Sequence, residues 1–320
     1  MHVFEKDLRA GIQTLGLVLT DAQVAQLLAY MDLIQKWTKV YNLTAVRDPA
    51  EMLTHHLLDS LAVVAPLQKQ LNAMAEAGAA HSASVASGGE TVRFAQVKEE
   101  PAQRAGDTEQ NALFPHRAVS GERNPQDLVG VQHEDGGGRF APCPPLAAQA
   151  PPLPAQNAHP HPPAAVGNLT AHSSLVGTPV RLLDVGSGAG LPGAVIAICL
   201  PHVTVHCVDT VAKKAAFIQQ VAVTLKLPNL RGIHARVENL TDTYDVVSSR
   251  AFASLVDFVT WSQKALAGQG VWMAMKGKHP ADEMAVLPSF AQVFHVEQLS
   301  VPGLDAERCI VWMRPPSTTA

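Results

Sequence analysis

The sequence predicts an α/β fold, in which a mainly parallel sheet is covered by helices. Three observations predict it: an apolar strand that runs into a glycine-rich turn at residues 182–193, an alternation of strands and helices behind it, and two alternating apolar runs near the end. Only helices are predicted ahead of the turn. The chain divides into a helical extension at 1–66, a low-complexity segment at 67–178 and a core at 179–316.

Two amphipathic helices are predicted in the extension. Apolar residues recur at helical spacing from Asp21 to Val40, with Thr20 or Asp21 available as the N-cap. After a break at residues 41–44, a second helix is predicted to begin near Pro49, because proline favours the first turn. A further short helix is expected from residue 71 to 80.

The segment from residue 67 to 178 has the composition of a disordered linker. It holds 12 of the 23 prolines and 6 of the 14 histidines, and it shows neither a helical nor an alternating apolar period. Such a segment buries too little apolar area to offset an ordering cost of roughly 1 to 2 kcal/mol per residue. We therefore expect an unfolded linker that the activity of the core does not need.

Charge, cysteine and hydropathy patterns exclude several classes of protein. A net charge of −4 excludes a polybasic surface over the whole chain, so any attraction to nucleic acid would come from a local patch. The four cysteines form no CxxC pair, which indicates a reducing, cytoplasmic compartment, and Cys207 and Cys309 are expected in the core. No signal peptide and no apolar run of about 18 residues is found, so neither export nor membrane insertion is expected.

The core is predicted to contain five parallel strands followed by an antiparallel edge. The parallel strands are expected near 181–185, 204–209, 230–235, 244–249 and 270–275, with crossover helices at 192–200, 211–226 and 254–267. Two further runs, at 292–299 and 308–313, flank Pro302-Gly303 and are expected to pair as a hairpin. Ligands of such sheets bind at the carboxyl ends of the strands, so the residues there are the candidates for a site.

The turn after the first predicted strand is typical of cofactor binding. Gly186, Gly188 and Gly190 allow backbone conformations that a side chain would obstruct and let the main chain approach a ligand closely. The spacing from Gly188 to Gly193 also fits the dinucleotide fingerprint, with Asp209 ending the next strand where a ribose-binding acid is expected. The spacing alone therefore leaves NAD and S-adenosylmethionine open.

Asp184 favours the second of these cofactors. It lies two residues before the first glycine of the turn, where a carboxylate suits a cofactor with a cationic methionine end and would repel a diphosphate. The side chain is expected either to anchor the turn or to bind the methionine amino group. Its alternative role is to cap backbone amides of its own loop, and the two roles are compatible.

Several motifs in order resemble one known family. They are Trp37-x-x-x-Tyr41-Asn42-Leu43-Thr44-x-x-Arg47-Asp48, His56-x-x-Asp59-Ser60, the glycine turn, Ser249-Arg250-Ala251-Phe252-Ala253 and Val301-Pro302-x-Leu304-Asp305-x-Glu307-Arg308. Together they resemble the bacterial small-subunit ribosomal RNA methyltransferase G family, also called glucose-inhibited division protein B. The resemblance covers nearly everything outside the middle segment, which has no counterpart in the short linker expected of the family.

The resemblance implies a Rossmann-like class I fold that depends on S-adenosylmethionine. It further implies methylation of guanine N7 in the 530 loop of 16S ribosomal RNA, as naked RNA, 30S subunit or assembly intermediate. Cofactor contacts are implied at Gly186, Leu191, Val237, Glu238 and Arg250. The logic of the fold adds Asp184, Gly188, Gly190 and Asp209.

The chemistry of guanine N7 asks for alignment and not for a strong base. N7 exposes a lone pair, and holding donor and acceptor in line supplies roughly 7 to 11 kcal/mol of a barrier. No catalytic residue is therefore assigned with certainty. Arg250 is the candidate, because its guanidinium could hold the methionine carboxylate or guanine O6. Its alternative is a surface ion pair with Asp245 or Asp257.

A basic face for RNA phosphates is predicted from five side chains: Lys36, Lys39, Arg47, Lys276 and Lys278. Trp37 and Tyr41 are four residues apart on an apolar face, which favours core packing over stacking on a base. No metal is expected, because His55 and His56 have no third ligand at useful spacing. A monomer is expected.

Three rival functions stay open at this point. The first is a methyltransferase of a small molecule, and the second is an NAD-dependent oxidoreductase. The third is a catalytically silent RNA-binding or assembly module.

Overall fold

A seven-stranded sheet organises the part of the chain that the structure describes. The structure is a computed structural model and describes residues 2–87, 179–250, 252 and 254–316, with side chains omitted for 80–87. The strand order is β3-β2-β1-β4-β5-β7-β6. The strands are β1 Arg181–Val185, β2 Thr204–Asp209, β3 Leu230–His234, β4 Tyr244–Arg250, β5 Leu266–Lys276, β6 Gln292–Leu299 and β7 Arg308–Arg314.

The first five strands pair in parallel, whereas β7 pairs antiparallel with both β5 and β6. This is the predicted Rossmann-like class I arrangement, including its antiparallel edge. The crossover helices are α6 Gly193–Cys199, α7 Ala212–Thr224 and α8 Leu255–Ser262, and a short α9, Ala281–Ala285, follows β5. The strand predictions are confirmed, although β5 begins four residues before its predicted start.

The two faces of the sheet pack against different helices. Along β1, Leu182 points into a core shared with α6, α7 and the helical extension, whereas Leu183 and Val185 point toward α8. Successive residues of a strand face opposite sides, and both sides are covered here. This explains why the parallel strands read as continuous apolar runs.

Five helical elements form the extension on the first face. They are α1 Glu5–Thr14, α2 Asp21–Tyr41, α3 Pro49–Met52, α4 Asp59–Leu61 and α5 Val64–Ser87, with a π-helical stretch at Leu53–Leu58 joining α3 to α4. The extension and the first face of the sheet share one apolar cluster.

The longest helix in contact with the sheet layer, α2, is fixed at both ends by local sequence. The Thr20 side chain accepts a hydrogen bond from the Gln23 amide, and the Gln23 side chain accepts one from the Thr20 amide, which forms a capping box. At the other end Asn42 adopts a left-handed conformation with φ of 54°, which stops the helix. The predicted N-cap and break are both confirmed.

Polar contacts fix the direction of α2. The Gln23 amide group donates to the carbonyls of Ile198 and Cys199 at the end of α6, and Gln26 donates to the carbonyl of Leu225 at the end of α7. The helix therefore runs antiparallel to α6 and α7, which both begin at the carboxyl ends of strands. Its C-terminal end lies at the same edge of the sheet as those strand ends.

Two helix predictions need correction. The helix that begins at Pro49, with Asp48 as its N-cap, is not a uniform α-helix, because it widens into the π-helical stretch. The helix expected over residues 71–80 instead runs from Val64 to Ser87, so the boundary drawn at residue 66 falls inside it. Its earlier start brings Leu67, which is buried in the core, into the helix. Residues 88–178 of the predicted linker lie outside the described part.

Among the described residues, every helix is too short or too polar to cross a membrane.

Candidate active site

The glycine turn after β1 has the backbone conformation that its sequence predicts. Gly186, Gly188 and Gly190 have φ values of 66°, 60° and 87°, a region that residues with a side chain rarely occupy. A Cβ on Gly188 would meet no atom within 4 Å, so the space over the turn is open. A Cβ on Gly186 would lie 3.8 Å from the ring of Phe252, which borders that space.

Asp184 holds the turn from beneath. The residue is fully buried, one carboxylate oxygen accepts from the Gly193 amide at 3.1 Å, and the other accepts from the Ser248 hydroxyl at 2.9 Å. Burial raises the pKa of this carboxyl to about 7, against the opposing effect of the two hydrogen bonds. Of the roles predicted for Asp184, its bond to the Gly193 amide matches both the anchoring of the turn and the capping of a backbone amide of its own loop.

Asp209 fastens the other side of the turn. One of its oxygens accepts from the Gly188 amide at 3.0 Å and the other from the Val211 amide at 2.8 Å, while Lys214 lies 3.7 Å away. A carboxylate oxygen can accept more than one hydrogen bond. Asp209 can therefore hold the turn and still accept from a ribose hydroxyl.

The amides of the turn bear on the choice between the two cofactors. A diphosphate binds to free backbone amides of a glycine loop and of the helix start behind it. Here most amides of this segment donate within the protein, that of Ala189 being the exception among its described residues. The acceptors are Val208 for Gly186, Asp209 for Gly188, Ser187 for Gly190 and Leu191, Asp184 for Gly193, and Gly190 for Ala194. The turn fits a cofactor without a diphosphate.

The remaining predicted cofactor residues lie at the same edge of the sheet. Val237 is buried in a short turn after β3, and Glu238 beside it is 39% exposed. The Ala235 amide donates to the Asp209 carbonyl and ties this segment to the end of β2. All nine predicted positions lie near or just beyond the carboxyl ends of β1 to β4: Asp184, Gly186, Gly188, Gly190, Leu191, Asp209, Val237, Glu238 and Arg250.

A cationic cavity of about 370 Å³ opens where β4 and β5 end. Its lining combines residues of the extension with residues of the strand ends: Val46, His55, His56, Asp59, Arg250, Met275, Lys276, Gly277 and Arg308. Asp59 is the only carboxylate of that lining, whereas two guanidinium groups and one ammonium group contribute to it.

Asp59 clamps two arginines from distant parts of the chain. Its oxygens lie 2.8 Å from Nη1 of Arg250 and 3.0 Å from Nε of Arg308, and Arg250 also donates to the His55 carbonyl at 2.9 Å. The Asp59 side chain is 5% exposed, against 21% and 24% for the two arginines. We call this set of three residues the Asp59 clamp.

The predicted alternative partners of Arg250 were wrong. Asp245 accepts instead from the Arg181 amide, and Asp257 accepts from the Ser254 hydroxyl. Both acids lie near Arg250 in sequence, whereas Asp59 is 191 positions away and comes close only through docking of the extension on the sheet.

The five predicted phosphate ligands have different surroundings. Lys276 lies in the cavity wall, where its ammonium is held 2.8 Å from Glu283, and Lys278 is exposed just beyond it. Arg47 donates to the Thr38 carbonyl and to the Asn42 side chain, so it stabilises the end of α2. Lys36 and Lys39 are exposed on α2.

Several residues that shape the site escaped prediction. The hydroxyl of Tyr30, buried on α2, donates to the Ala189 carbonyl at 2.6 Å and supports the turn. The sequence did carry a sign of this contact, because Tyr30 lies on the apolar face of a predicted helix and a buried tyrosine hydroxyl needs a hydrogen-bond partner. Asp59 belongs to the motif His56-x-x-Asp59-Ser60, but no role was assigned to it from the sequence. Glu283 gave no sequence signal that could be distinguished from a solvated acid.

The buried aromatic and histidine residues only partly follow prediction. Trp37 packs on Phe217 with ring centroids 5.3 Å apart, as expected, but Tyr41 is 45% exposed. His56 is buried and shares a hydrogen bond with the Thr44 hydroxyl, and burial lowers its pKa to about 4. Within the described ranges, no three His, Cys, Asp or Glu side chains are placed to hold a metal ion.

Comparison with known proteins identifies the family. The family model for rRNA small subunit methyltransferase G matches residues 23–80 and 168–311. "Ribosomal RNA small subunit methyltransferase G" of Paracidovorax citrulli (strain AAC00-1) is 49% identical over 308 residues, covering 96% of this chain and 88% of that protein. The protein of the same name from Polaromonas sp. (strain JS666 / ATCC BAA-500) is 49% identical over 316 residues, covering 99% and 96%.

These alignments correct one expectation about the middle segment. The family model leaves residues 81–167 unmatched, but the two relatives align across nearly the whole chain. The segment therefore has a counterpart in these relatives, contrary to the expected short linker.

Among solved structures, TrmN from Thermus thermophilus is similar over 43% of this chain and 44% of that chain, with a TM-score of 0.37 and 18% identity. This similarity is too weak to bear on the assignment. The family match, the relatives and the strand order agree: the chain belongs to the rRNA small subunit methyltransferase G family, whose members use S-adenosylmethionine.

Proposed function

We propose that this protein transfers a methyl group from S-adenosylmethionine to N7 of a guanine in the 530 loop of 16S ribosomal RNA, in the cytoplasm. The relatives are named as methyltransferases of small-subunit ribosomal RNA, which supports the class of substrate. The observation that carries the proposal is the position of the cationic cavity at the same sheet edge as the glycine turn. A base placed there lies next to the methyl donor.

When bound, the cofactor supplies a methyl group on a positively charged sulfur. The chain's own residues bind and orient it: the glycine turn offers close approach of the backbone, Asp209 accepts from a ribose hydroxyl, and the Phe252 ring borders the space above Gly186. Glu238, partly exposed beyond β3, is placed to accept from another hydroxyl or from the adenine amine.

Arg250 is proposed to contact a ligand with the donors that the clamp leaves over. Its bonds to His55 and Asp59 both come from Nη1, so within the described residues Nε and Nη2 are left for the methionine carboxylate or for guanine O6. Because the guanidinium is fixed by the clamp, it is oriented before the ligand arrives.

The lining of the cavity supports N7 as the acceptor atom. An amine or hydroxyl acceptor must lose a proton, which calls for a general base. Arginines contact both oxygens of Asp59, and the pKa of His56 of about 4 makes it a weak base, which leaves His55 as the other histidine of the lining. Guanine N7 has a free lone pair, so positioning alone suffices.

The test is to map N7-methylguanine in 16S RNA from cells with and without this gene. We expect one modified guanine to disappear in the deletion strain and to return with the purified protein and S-adenosylmethionine. An unchanged map would contradict the proposal. Running the reaction on naked 16S RNA, on assembly intermediates and on 30S subunits identifies the form that is methylated.

Two experiments test the rival functions of other classes: a cofactor titration for the oxidoreductase, and complementation of the deletion strain for the silent RNA-binding module. We expect S-adenosylhomocysteine to bind and NADH not to bind, since most amides of the turn are already engaged. Binding of NADH alone would support an oxidoreductase. If Gly186 and Arg250 variants fully restored the deletion strain, a silent RNA-binding module would be supported instead.

A further inference from the structure

One surface corner of the molecule combines exposed aromatic, apolar and basic side chains. It is formed by the end of α2 and the start of α7, where Tyr41 is 45% exposed, Val40 is 70% exposed and Val211 is 44% exposed. The Lys213 ammonium lies over the Tyr41 ring, 5.4 Å from its centroid, and Lys214 follows on α7. We call Tyr41, Lys213 and Lys214 the corner platform.

The ring of Tyr41 is held firmly although it is exposed. Trp37 packs beside it with ring centroids 5.0 Å apart, and Trp37 is itself packed on Phe217 of α7. Asn42 ends the helix directly after Tyr41, and Arg47 braces that end through the Thr38 carbonyl. A ring fixed in this way loses little conformational freedom when something stacks on it.

The corner platform lies at the edge where the candidate active site opens. Helix α7 begins three residues after Asp209, and Lys214 is 3.7 Å from the Asp209 carboxylate. In the other direction, Val46 lines the cationic cavity and is five residues from Tyr41, a separation of at most about 18 Å along the chain. A strand with one nucleotide in the cavity can reach the platform with a neighbouring one.

The chemistry of the platform fits single-stranded RNA. Aromatic side chains that stack bases, combined with lysines that contact phosphates, are the general means of binding unpaired nucleic acid. Stacking of a base outweighs an exposed cation–π contact, so a base can displace the Lys213 ammonium from the ring. The flexible side chain of Lys213 then reaches a phosphate.

We propose that Tyr41 stacks a base of the substrate RNA flanking the methylated nucleotide, while Lys213 and Lys214 contact its phosphates. This rests on the proposed function for the identity of the RNA. Lys39 is not included, because it is two residues from Tyr41 and thus points to the other side of α2.

The test measures binding of a fluorescein-labelled single-stranded RNA of mixed sequence to the full-length protein. We expect Tyr41→Leu to weaken binding about 5- to 150-fold, since it keeps an apolar contact with Trp37 but removes the stacking ring. Tyr41→Phe should bind like the wild type. Lys213→Ala should lower the slope of log affinity against log salt by about 0.7.

The matched control is Lys264→Ala. Lys264 is equally exposed but precedes β5, so it lies at the opposite edge of the sheet, and its loss should leave the RNA affinity unchanged. Affinity for S-adenosylhomocysteine and the melting temperature should be unaltered in all four variants. A Tyr41→Leu protein that keeps both and still binds RNA like the wild type would overturn the proposal.

Two further outcomes are decisive. If Tyr41→Leu raised the KM for 30S subunits but left binding of naked RNA unchanged, the platform would contact a ribosomal protein and the inference would be wrong. The RNA-binding assay does not depend on methyl transfer. Failure of the proposed function would therefore be seen separately, because the wild-type protein would then methylate no 16S RNA.

Discussion

The glycine turn and the Asp59 clamp lie at the same edge of the sheet but are built in different ways. The turn is closed mainly by contacts within the core, such as Asp184 with Gly193 and Asp209 with Gly188, which are 9 and 21 positions apart. The clamp joins Asp59 to Arg250 and Arg308, which are 191 and 249 positions away. The extension thus adds one supporting hydrogen bond to the turn, from Tyr30, whereas the clamp forms only when the extension docks.

We expect substitutions in the Asp59 clamp to lower stability and methyl transfer more than substitutions in the glycine turn. Asp59→Ala leaves two half-buried guanidinium groups without their shared carboxylate, which costs about 3 kcal/mol of unfolding free energy. We expect methyl transfer to fall at least about 100-fold, because the arginines lose their orientation. Urea unfolding and single-turnover assays on 16S RNA measure the two effects.

A surface ion pair provides the control for this experiment. Asp242, whose side chain is 58% exposed, pairs with Arg181 at 2.9 Å, and Asp242→Ala should cost less than about 1 kcal/mol. If Asp59→Ala does not fold, Asp59→Asn retains one acceptor and should lose activity with a smaller loss of stability. Equal effects of Asp59 and Asp242 variants would show that the clamp orients nothing.

Asp184 tests the turn through the pH dependence of stability. Its pKa is raised to about 7 in the folded protein, so its favourable contribution is complete below pH 4 and is lost as the pH rises toward 7. Asp184→Asn keeps acceptor and donor groups for Gly193 and Ser248 but does not ionise. The variant should match the wild type near pH 4 and exceed it by a few kcal/mol above pH 7.

His56 contributes the opposite slope in both proteins. Its pKa is lowered to about 4, so its contribution is complete above about pH 6.5 and is lost as the pH falls toward 4. Because His56 is present in both proteins, its contribution cancels when the unfolding free energy of the wild type is subtracted from that of Asp184→Asn. The unfolding free energies of the wild type and Asp184→Asn are measured from pH 4 to 8. A constant difference between them over this range would contradict a buried carboxyl that is protonated in the folded protein.

Substitutions at Gly188 and Gly16 distinguish the effect of backbone strain on stability from an effect on cofactor binding. Gly188→Ala places a side chain at φ of 60°, which costs about 1 to 2 kcal/mol, and fills the open space over the turn. Gly16→Ala is the matched control, because Gly16 has φ of 66°, also has nothing within 4 Å, and lies at the end of α1. We expect both to destabilise equally, but only Gly188→Ala to weaken S-adenosylhomocysteine binding, by about tenfold.

The smallest effect is expected from deleting residues 91–174, which spares helix α5. The prediction that this segment is an unfolded linker implies unchanged melting temperature and nearly unchanged methyl transfer. A severe loss of folding or turnover would contradict it and would give the segment a share in the site.

Much of the fold was predictable because its signals are local. The strands β1, β2 and β4 are short and largely buried, unlike β3, and each of the four strands ends at or within one residue of its predicted end. The capping box at Thr20 and the turn glycines are set by a few neighbouring residues. Where prediction erred, distant packing decided: Leu67, ahead of the predicted helix, is buried in the core, and α7 packs on Trp37 while Tyr41 stays at the surface.

The sequence by itself determined the glycine turn after β1, the strands that lead to it and the family to which the chain belongs. The tertiary structure alone decided which acid holds Arg250, which lysine is held by Glu283 and which aromatic ring reaches solvent. The physical reason is the range of the interactions. Backbone conformation and capping depend on residues a few positions apart, whereas ion pairs and exposure depend on which surfaces meet after the chain has folded.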